Sequence, residues 1–334
     1  MKISRKTVLV TGATGFIGSA VVTELTDRGH RVRCFARHTS DISFLDGSQN
    51  DLSIRYGDLC DKDTLEEAMK GCDWLLNCAG LNSFWQKDKR SFYRVNEEGT
   101  RNVMEAALKT GVKKVVHVST VMAYGFPEDS PFREDSKPGP HVSHYARSKY
   151  RGDQIAAELH NQKGLPLVMV YLAAVVGKGD KKTTMQIGPF LKGKVPAMIG
   201  SAHLFTYVYV KDAARAIVRA AEKEMNIGEK YLIGNQVMAT REYFQMISDI
   251  AGVPMPRYTI GEKTALLLSW VLTSFAQLTG RPPLMPLELM RTVYESSLLF
   301  DAHKAETELG IRHTPIRIAL EEAVADMRGP SLNQ

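Results

Sequence analysis

Residues 8–18 read VLVTGATGFIG. An apolar run over Thr7–Thr11 meets Gly12, Gly15 and Gly18, and a helical pattern starts at Phe16 and continues to Arg28. Glycine permits a tight turn, lets backbone amides approach a pyrophosphate and allows the helix to pack closely on the strand. The start of the helix then offers free N–H groups and partial positive charge to phosphates. Thr14, Phe16 and Ile17 share this turn and join the glycines as candidate cofactor contacts. The spacing is GxxGxxG, which differs from the commoner GxGxxG fingerprint. A glycine triplet alone is compatible with a structural turn that binds nothing. Its place between the first strand and the first helix of an alternating pattern points to a dinucleotide.

The alternation extends outward from this turn. Further strands are expected at Arg31–Ala36, Ser53–Tyr56, Trp74–Asn77, Val115–Ser119 and Leu167–Tyr171. Helices are expected over Thr64–Lys70, Phe92–Thr110 and Ser143–Asn161. Runs such as VLV and VVHV are apolar at nearly every position, so these strands are covered on both faces. Such strand–helix alternation predicts an α/β fold: a Rossmann-type doubly wound parallel sheet with right-handed crossovers. After about residue 172 helical patterns dominate, over Lys211–Glu224, Arg241–Ala251, Ala265–Leu278, Pro286–Ser296 and Pro315–Met327. We therefore expect a dinucleotide-binding domain over 1–172 and a smaller, mostly helical substrate region over 173–334, with parts around 204–233 returning to the first domain.

The 334 residues, 44% of them hydrophobic, suffice for a core without disulfide or metal staples. Against 37 Asp and Glu stand 43 Lys and Arg, a net charge of +6. The cations are dispersed, which suits anionic small molecules and argues against a nucleic-acid partner. Cys34, Cys60, Cys72 and Cys78 form no CxxC pair and have no His at ligand spacing. Buried free thiols in a reducing compartment, and no metal site, are expected. Met1–Lys6 lead straight into the first strand without a signal-peptide core, consistent with a cytoplasmic location. The apolar stretch Ala265–Leu278 is shorter than the ~20 residues of a membrane span.

The choice of dinucleotide turns on the end of the second strand. A ribose-binding carboxylate is expected there in NAD-dependent proteins. This chain has Ala36 and Arg37, and its first acid is Asp41. A guanidinium pairs with a 2′-phosphate that a carboxylate would repel, so NADP(H) is favoured over NAD(H). Arg37 as a mere solvated strand end is the alternative. Asp58, in Gly57-Asp58-Leu59, is a candidate partner for the adenine amino group or, alternatively, a helix cap.

Tyr145 and Lys149, in YARSK, project from one helix face one turn apart. A phenol with the ordinary pKa near 10 is only ~0.1% ionised at pH 7. A neighbouring ammonium is expected to lower that pKa and make the phenol a usable acid or base. Ser119 and Thr120 end the fifth strand, where ligands of open α/β sheets bind. Either hydroxyl could orient a substrate oxygen toward the phenol, or merely cap the strand.

Together these residues resemble the extended short-chain dehydrogenase/reductase family. The resemblance rests on TGATGFIG (11–18), GDL (57–59), NCAG (77–80), VNEEGT (95–100), VST (118–120) and YARSK (145–149), and on YLAAVVGKGD (171–180), YVKDAARA (209–216) and FDAHKAETELG (300–310). It implies Tyr145 as acid/base and Lys149 as its pKa-lowering partner and a ligand of the nicotinamide ribose. It implies Thr120 as the active hydroxyl, Ser119 as its back-up, and Asn96 as a support of the site. It implies further cofactor contacts at Leu59, Cys78, Ala79, Gly80, Tyr171, Leu172 and Ala173, and a homodimer formed through the Phe92–Thr110 and Ser143–Asn161 helices.

Within the family the sequence looks most like dihydroflavonol reductases and 3β-hydroxysteroid dehydrogenases. Asn82, Phe84 and Trp85 follow NCAG near the expected pocket mouth. Val121 and Met122 occupy positions where dehydratases carry an Asp-Glu pair. Asn82, Phe84, Trp85, Thr120, Met122 and Val175 are the candidate substrate contacts. Trp270, Phe275, Met285 and Met290 could line a lipophilic pocket. They could equally be ordinary core, and 265–278 could rest on a membrane as an interfacial helix. The expected activity is NADP(H)-dependent reduction of a ketone on an apolar or aromatic-bodied substrate, or oxidation of the alcohol. An NAD-retaining nucleotide-sugar epimerase and a non-enzymatic dinucleotide sensor are the alternatives.

Overall fold

β1 (Thr7–Thr11), β2 (Arg31–Ala36), β3 (Leu52–Tyr56), β4 (Trp74–Asn77), β5 (Lys114–Thr120) and β6 (Leu167–Leu172) alternate with helices in a computed structural model of the chain. The structure describes residues 4–42, 51–180, 187–195, 197–295 and 297–328. Then come β7 (Ala174–Val176), β8 (Ala197–Ile199), β9 (Leu204–Tyr209), β10 (Lys230–Ile233), β11 (Gln236–Ala239) and β12 (Tyr258–Ile260). Seven strands form one sheet in the order β10-β6-β5-β4-β1-β2-β3. Every pairing in it is parallel. Parallel sheets need cover on both faces, and β4 and β6 are buried at every position.

One face is covered by the helices Phe16–Asp27 and Val210–Glu222, which pack against each other. The second of these turns Ala213, Ala214, Ala216, Ala220 and Ala221 inward, small residues that let the two axes come close. Arg28 and His30 both reach Glu222, at 2.7 and 3.3 Å, and lock the pair. The helices Lys62–Met69, Gly99–Thr110 and His144–Lys163 adjoin one another as a second group. Strand order reverses between β1 and β4, which opens a crevice at their C-terminal ends.

The second half of the chain holds more strand than its helical patterns suggest. β10 completes the main sheet beside β6. β7, β9 and β11 form a small mixed sheet, and β8 pairs with β12. With the helices Thr240–Ala251 and Ile316–Arg328 they enclose a second core around Tyr207, Tyr243, Ile247 and Leu320. These strands are three to six residues long and carry little periodicity of their own.

The helix expected from Phe92 has an irregular start. Arg90–Tyr93 is followed by one π turn, Arg94–Glu98, before the regular helix Gly99–Thr110. Such turns concentrate at functional sites. This one carries Asn96. Of the cysteines, Cys34 is buried, whereas Cys60 is exposed, which corrects the expectation that all four thiols lie in the interior. Cys60 stands in the connection after β3.

Candidate active site

The glycine turn lies at the crevice. Gly12 adopts φ +64°, and a Cβ there would stand 2.8 Å from Ala79 Cα. A Cβ at Gly18 would stand 2.0 Å from the Gly12 carbonyl oxygen. Only glycine allows the β1 turn, the β4 loop and the first helix to converge this closely. Gly15 is the N-cap of Phe16–Asp27 and supplies no side-chain acceptor to its first turn. Those amides remain directed at the crevice, as an anion site requires. The backbone of NCAG is drawn in by Thr11, whose carbonyl accepts from Cys78 N at 3.2 Å and whose hydroxyl accepts from Ala79 N at 3.3 Å. These residues fit a dinucleotide.

Arg37 is exposed at the end of β2, near His38, whose ring stacks on Tyr56 with centroids 4.5 Å apart. Asp58 follows β3 and accepts from Cys60 N at 2.8 Å. Asp61, and not Asp58, caps the next helix by accepting from Asp63 N and Thr64 N. The Leu59 carbonyl accepts from Asn102 at 2.9 Å.

Tyr145, Lys149 and Thr120 converge at the end of β5. Tyr145 and Lys149 are both buried, and the Tyr145 hydroxyl is hydrogen-bonded to Thr120. Lys149 Nζ donates to the Val118 carbonyl at 3.0 Å. A Cβ on Gly80 would stand 3.3 Å from Asn96 Oδ1 and 3.9 Å from that Nζ, so the NCAG loop borders the same site. Asn96 accepts from Leu81 N at 2.7 Å and donates to the Leu81 carbonyl at 3.1 Å. Its amide also donates to Ser148 Oγ at 2.9 Å.

The electrostatics of the phenol differ from the expectation. Burial pushes Tyr145 up to about 12, against the smaller opposing influence of the Thr120 hydrogen bond. Burial lowers Lys149, partly offset by the Asp153 carboxylate. Cys78, beside Lys149, is raised to about 12 by burial.

A buried polar chain beneath the site is absent from the sequence reading. Thr11 Oγ1 donates to Asn77 Oδ1 at 2.5 Å, and Asn77 Nδ2 lies 3.0 Å from His117 Nδ1. His117 Nε2 lies 3.1 Å from Asp153 Oδ1, and Ser119 donates to Asp153 Oδ2 at 2.7 Å. The chain is self-consistent with a neutral His117 protonated on Nε2, and burial does lower its pKa. Ser119 is therefore committed to Asp153 and does not serve as an alternate for Thr120, since successive residues of a strand face opposite sides. Tyr171 is likewise drawn into this layer: it is hydrogen-bonded to Asp153 and packs edge-on to Tyr124. Leu172 and Ala173 are buried where β6 ends, with Leu172 beside Thr120 in register.

On the substrate side, the Phe84 ring meets Tyr145 edge-on, with centroids 6.0 Å apart. Phe84 and Trp85 line a cavity of about 400 Å³ together with Phe92, Trp270, Leu287 and Arg291. Trp85 Nε1 is buried without a hydrogen-bond partner among the described residues. Met122 N donates to Thr120 Oγ1 at 3.3 Å, which fixes the loop beside the active hydroxyl. Asn82 is exposed in the loop after β4, and Val175 lies on β7 between the two cores. Of the C-terminal apolar residues, Met290 is core, Trp270 lines the cavity and Phe275 is exposed. No group of acids, histidines and cysteines suited to a metal occurs among the described residues.

An open parallel sheet with an uncapped glycine turn at its switch point, and Thr120, Tyr145 and Lys149 at the adjoining strand end, defines a dinucleotide-binding protein. The profile of the NAD dependent epimerase/dehydratase family matches residues 8–234. The chain belongs to that family, within the extended short-chain dehydrogenases/reductases. A putative dihydroflavonol 4-reductase of Synechocystis is 31% identical over 324 residues, covering 94% of this chain and 92% of that one. Sterol demethylase protein B of Methylococcus capsulatus is 30% identical over 333 residues, covering 96% and 98%. The Thermus thermophilus UDP-glucose 4-epimerase, solved as its NAD complex, matches with a TM-score of 0.76 over 97% of this chain and 99% of that one. At 24% identity it shows the shared fold.

Proposed function

We propose that the protein is an NADP(H)-dependent oxidoreductase that reduces the ketone of an apolar or aromatic-bodied small molecule, or oxidises the corresponding alcohol. The observation that carries this reading is the hydrogen-bonded pair of Thr120 and Tyr145 hydroxyls beside a buried ammonium. The turn of Gly12, Gly15 and Gly18 would hold the pyrophosphate, Arg37 a 2′-phosphate and Asp58 the adenine amino group. When bound, the dinucleotide supplies a hydride to the carbonyl carbon.

The chain's own residues supply the rest. Thr120 and Tyr145 both donate to the carbonyl oxygen and fix its orientation. With its pKa near 12, Tyr145 is protonated throughout the neutral range and serves as the general acid of reduction. As the proton leaves, Lys149 stabilises the phenolate, an interaction strengthened by exclusion of water. Phe84 and Trp85 pack against the body of the substrate. The names of two relatives, a dihydroflavonol reductase and a sterol demethylase protein, agree with substrates built on fused rings.

A nucleotide-sugar epimerase is the second reading, supported by the fold shared with UDP-glucose 4-epimerase. The apolar Val121 and Met122 beside Thr120, and Arg37 at the β2 end, favour the reductase. NADPH oxidation measured against a panel of steroid and aromatic ketones, with the conversion of UDP-sugars followed separately by product analysis, tests the two. Turnover confined to the ketones supports reduction. A tightly retained NAD with turnover of UDP-sugars alone would overturn it.

A further inference from the structure

The helix Glu262–Thr279 is built with its small residues inward. Ala265, Ser269 and Ala276 are covered, whereas most of its large apolar side chains face out and Leu266 and Leu272 are half-buried. Leu267 is 64% exposed, Trp270 57%, Val271 49%, Phe275 64% and Leu278 84%. At about 100° per residue, Leu267, Val271, Phe275 and Leu278 fall on one stripe, and Leu268 and Trp270 flank it. No charged residue occurs from Thr264 to Gly280. Just beyond the helix, Leu284 is also exposed. An apolar face of this extent marks an interaction surface.

We propose that this face docks on an anionic lipid bilayer, with the helix lying in the interface. Three observations select this occupant. The first is length: no described helix is long and apolar enough to cross a membrane, which leaves an in-plane arrangement. The second is charge. Gln277 donates to the Lys87 carbonyl at 3.0 Å, and the Lys87 ammonium approaches Gly280 at the helix end. Arg281 follows, Lys89 stands at the cavity rim and Lys263 at the opposite end. None of these four cations enters an ion pair among the described residues. Glu262 offsets Lys263 at one end of the helix, but Lys87, Lys89 and Arg281 form a positive cluster at the other, which anionic headgroups attract.

The third observation is the cavity. Trp270, which flanks the exposed stripe, also lines the wall of the cavity, with Thr273, Ser274 and Gln277 of the same helix. Phe84 lines the same cavity, and its ring meets Tyr145 edge-on. A lipophilic molecule dissolved in the bilayer would enter beside Trp270 without crossing water. The docking stands independently of the reaction proposed above, and its test reads no turnover.

The full chain is sedimented with vesicles of phosphatidylcholine alone and of phosphatidylcholine mixed with phosphatidylglycerol. Preferential binding to the mixed vesicles, weakened by salt, is expected. The double variant Leu267→Glu, Phe275→Glu should lose about tenfold or more in partitioning, with an unchanged melting temperature because both side chains are exposed. Lys87→Glu should lose about fivefold or more on the mixed vesicles. A chain that stays in the supernatant with both vesicle types overturns the proposal. So does a lipid-free dimer, seen by sedimentation velocity, that the double variant dissociates.

Discussion

Asn96 donates to Ser148 Oγ at 2.9 Å, and through this bond the π turn is tied to the helix that carries Tyr145 and Lys149. Ser148 in turn donates to the Tyr145 carbonyl at 2.9 Å. The same Asn96 holds both backbone groups of Leu81. One buried amide thus sets the spacing between the loop after β4 and the proposed acid. Asn96→Ala leaves these partners unsatisfied and should destabilise the fold by about 2–4 kcal/mol, measured by urea unfolding. Turnover should fall as well, because the spacing is lost.

Asp153 is the carboxylate that raises Lys149 against the effect of burial. Removing its charge therefore lowers Lys149 further. In Asp153→Asn the alkaline limb of kcat/KM should move to lower pH. The substitution also disturbs acceptors used by His117 and Ser119, at an expected cost of about 2–4 kcal/mol. An unmoved alkaline limb would assign Asp153 a structural role only.

Stability should show a plateau bounded by two sets of groups. Burial holds His117, His141 and His313 below their ordinary 6.5, so their neutral forms are favoured in the fold. Their contribution is complete above pH 6.5 and is lost as pH falls. Burial raises Tyr145, Tyr124 and Tyr207 above 10. Their contribution is complete below pH 10 and is lost as pH rises further. Melting temperature followed from pH 5 to pH 11 should decline as pH falls below 6.5 and, because burial also raises the Cys34 and Cys78 thiols from 9.0 to about 12, should begin to decline again above about pH 9.

Arg37 tests the choice of dinucleotide. A guanidinium on a 2′-phosphate is a charge-assisted contact of about 1.5–3 kcal/mol. Arg37→Ala should weaken NADPH about 10–100-fold by fluorescence titration and leave NADH nearly unchanged. Equal losses for both cofactors would contradict the assignment.

The strands β1 and β4 were legible to the residue because parallel strands buried on both faces are written as nearly uninterrupted apolar runs, and β2, RVRCFA, because its apolar residues are bounded by Arg31 and Arg37. The glycine turn and YARSK were legible because both are local. The buried chain was not, since Thr11, Asn77, His117 and Asp153 come from four separate elements. A signal was nonetheless present. Asn77 and His117 are polar residues within strands that must be covered on both sides, and such groups require partners. The helix Glu262–Thr279 was legible as a helix but not in its orientation. Its apolar residues were compatible with core, pocket or an interfacial helix, and only the folded chain shows Ala265, Ser269 and Ala276 turned inward and Trp270 at the cavity. The short strands of the second half take their form from tertiary pairing, which leaves no local pattern.

The proposed acid is tested most directly by Tyr145→Phe. The substitution keeps the ring against Phe84 and removes only the hydroxyl bonded to Thr120. NADPH binding should be nearly unchanged, while the rate of ketone-dependent NADPH oxidation should fall about 10²–10⁴-fold. Unaltered turnover in the variant would contradict the account.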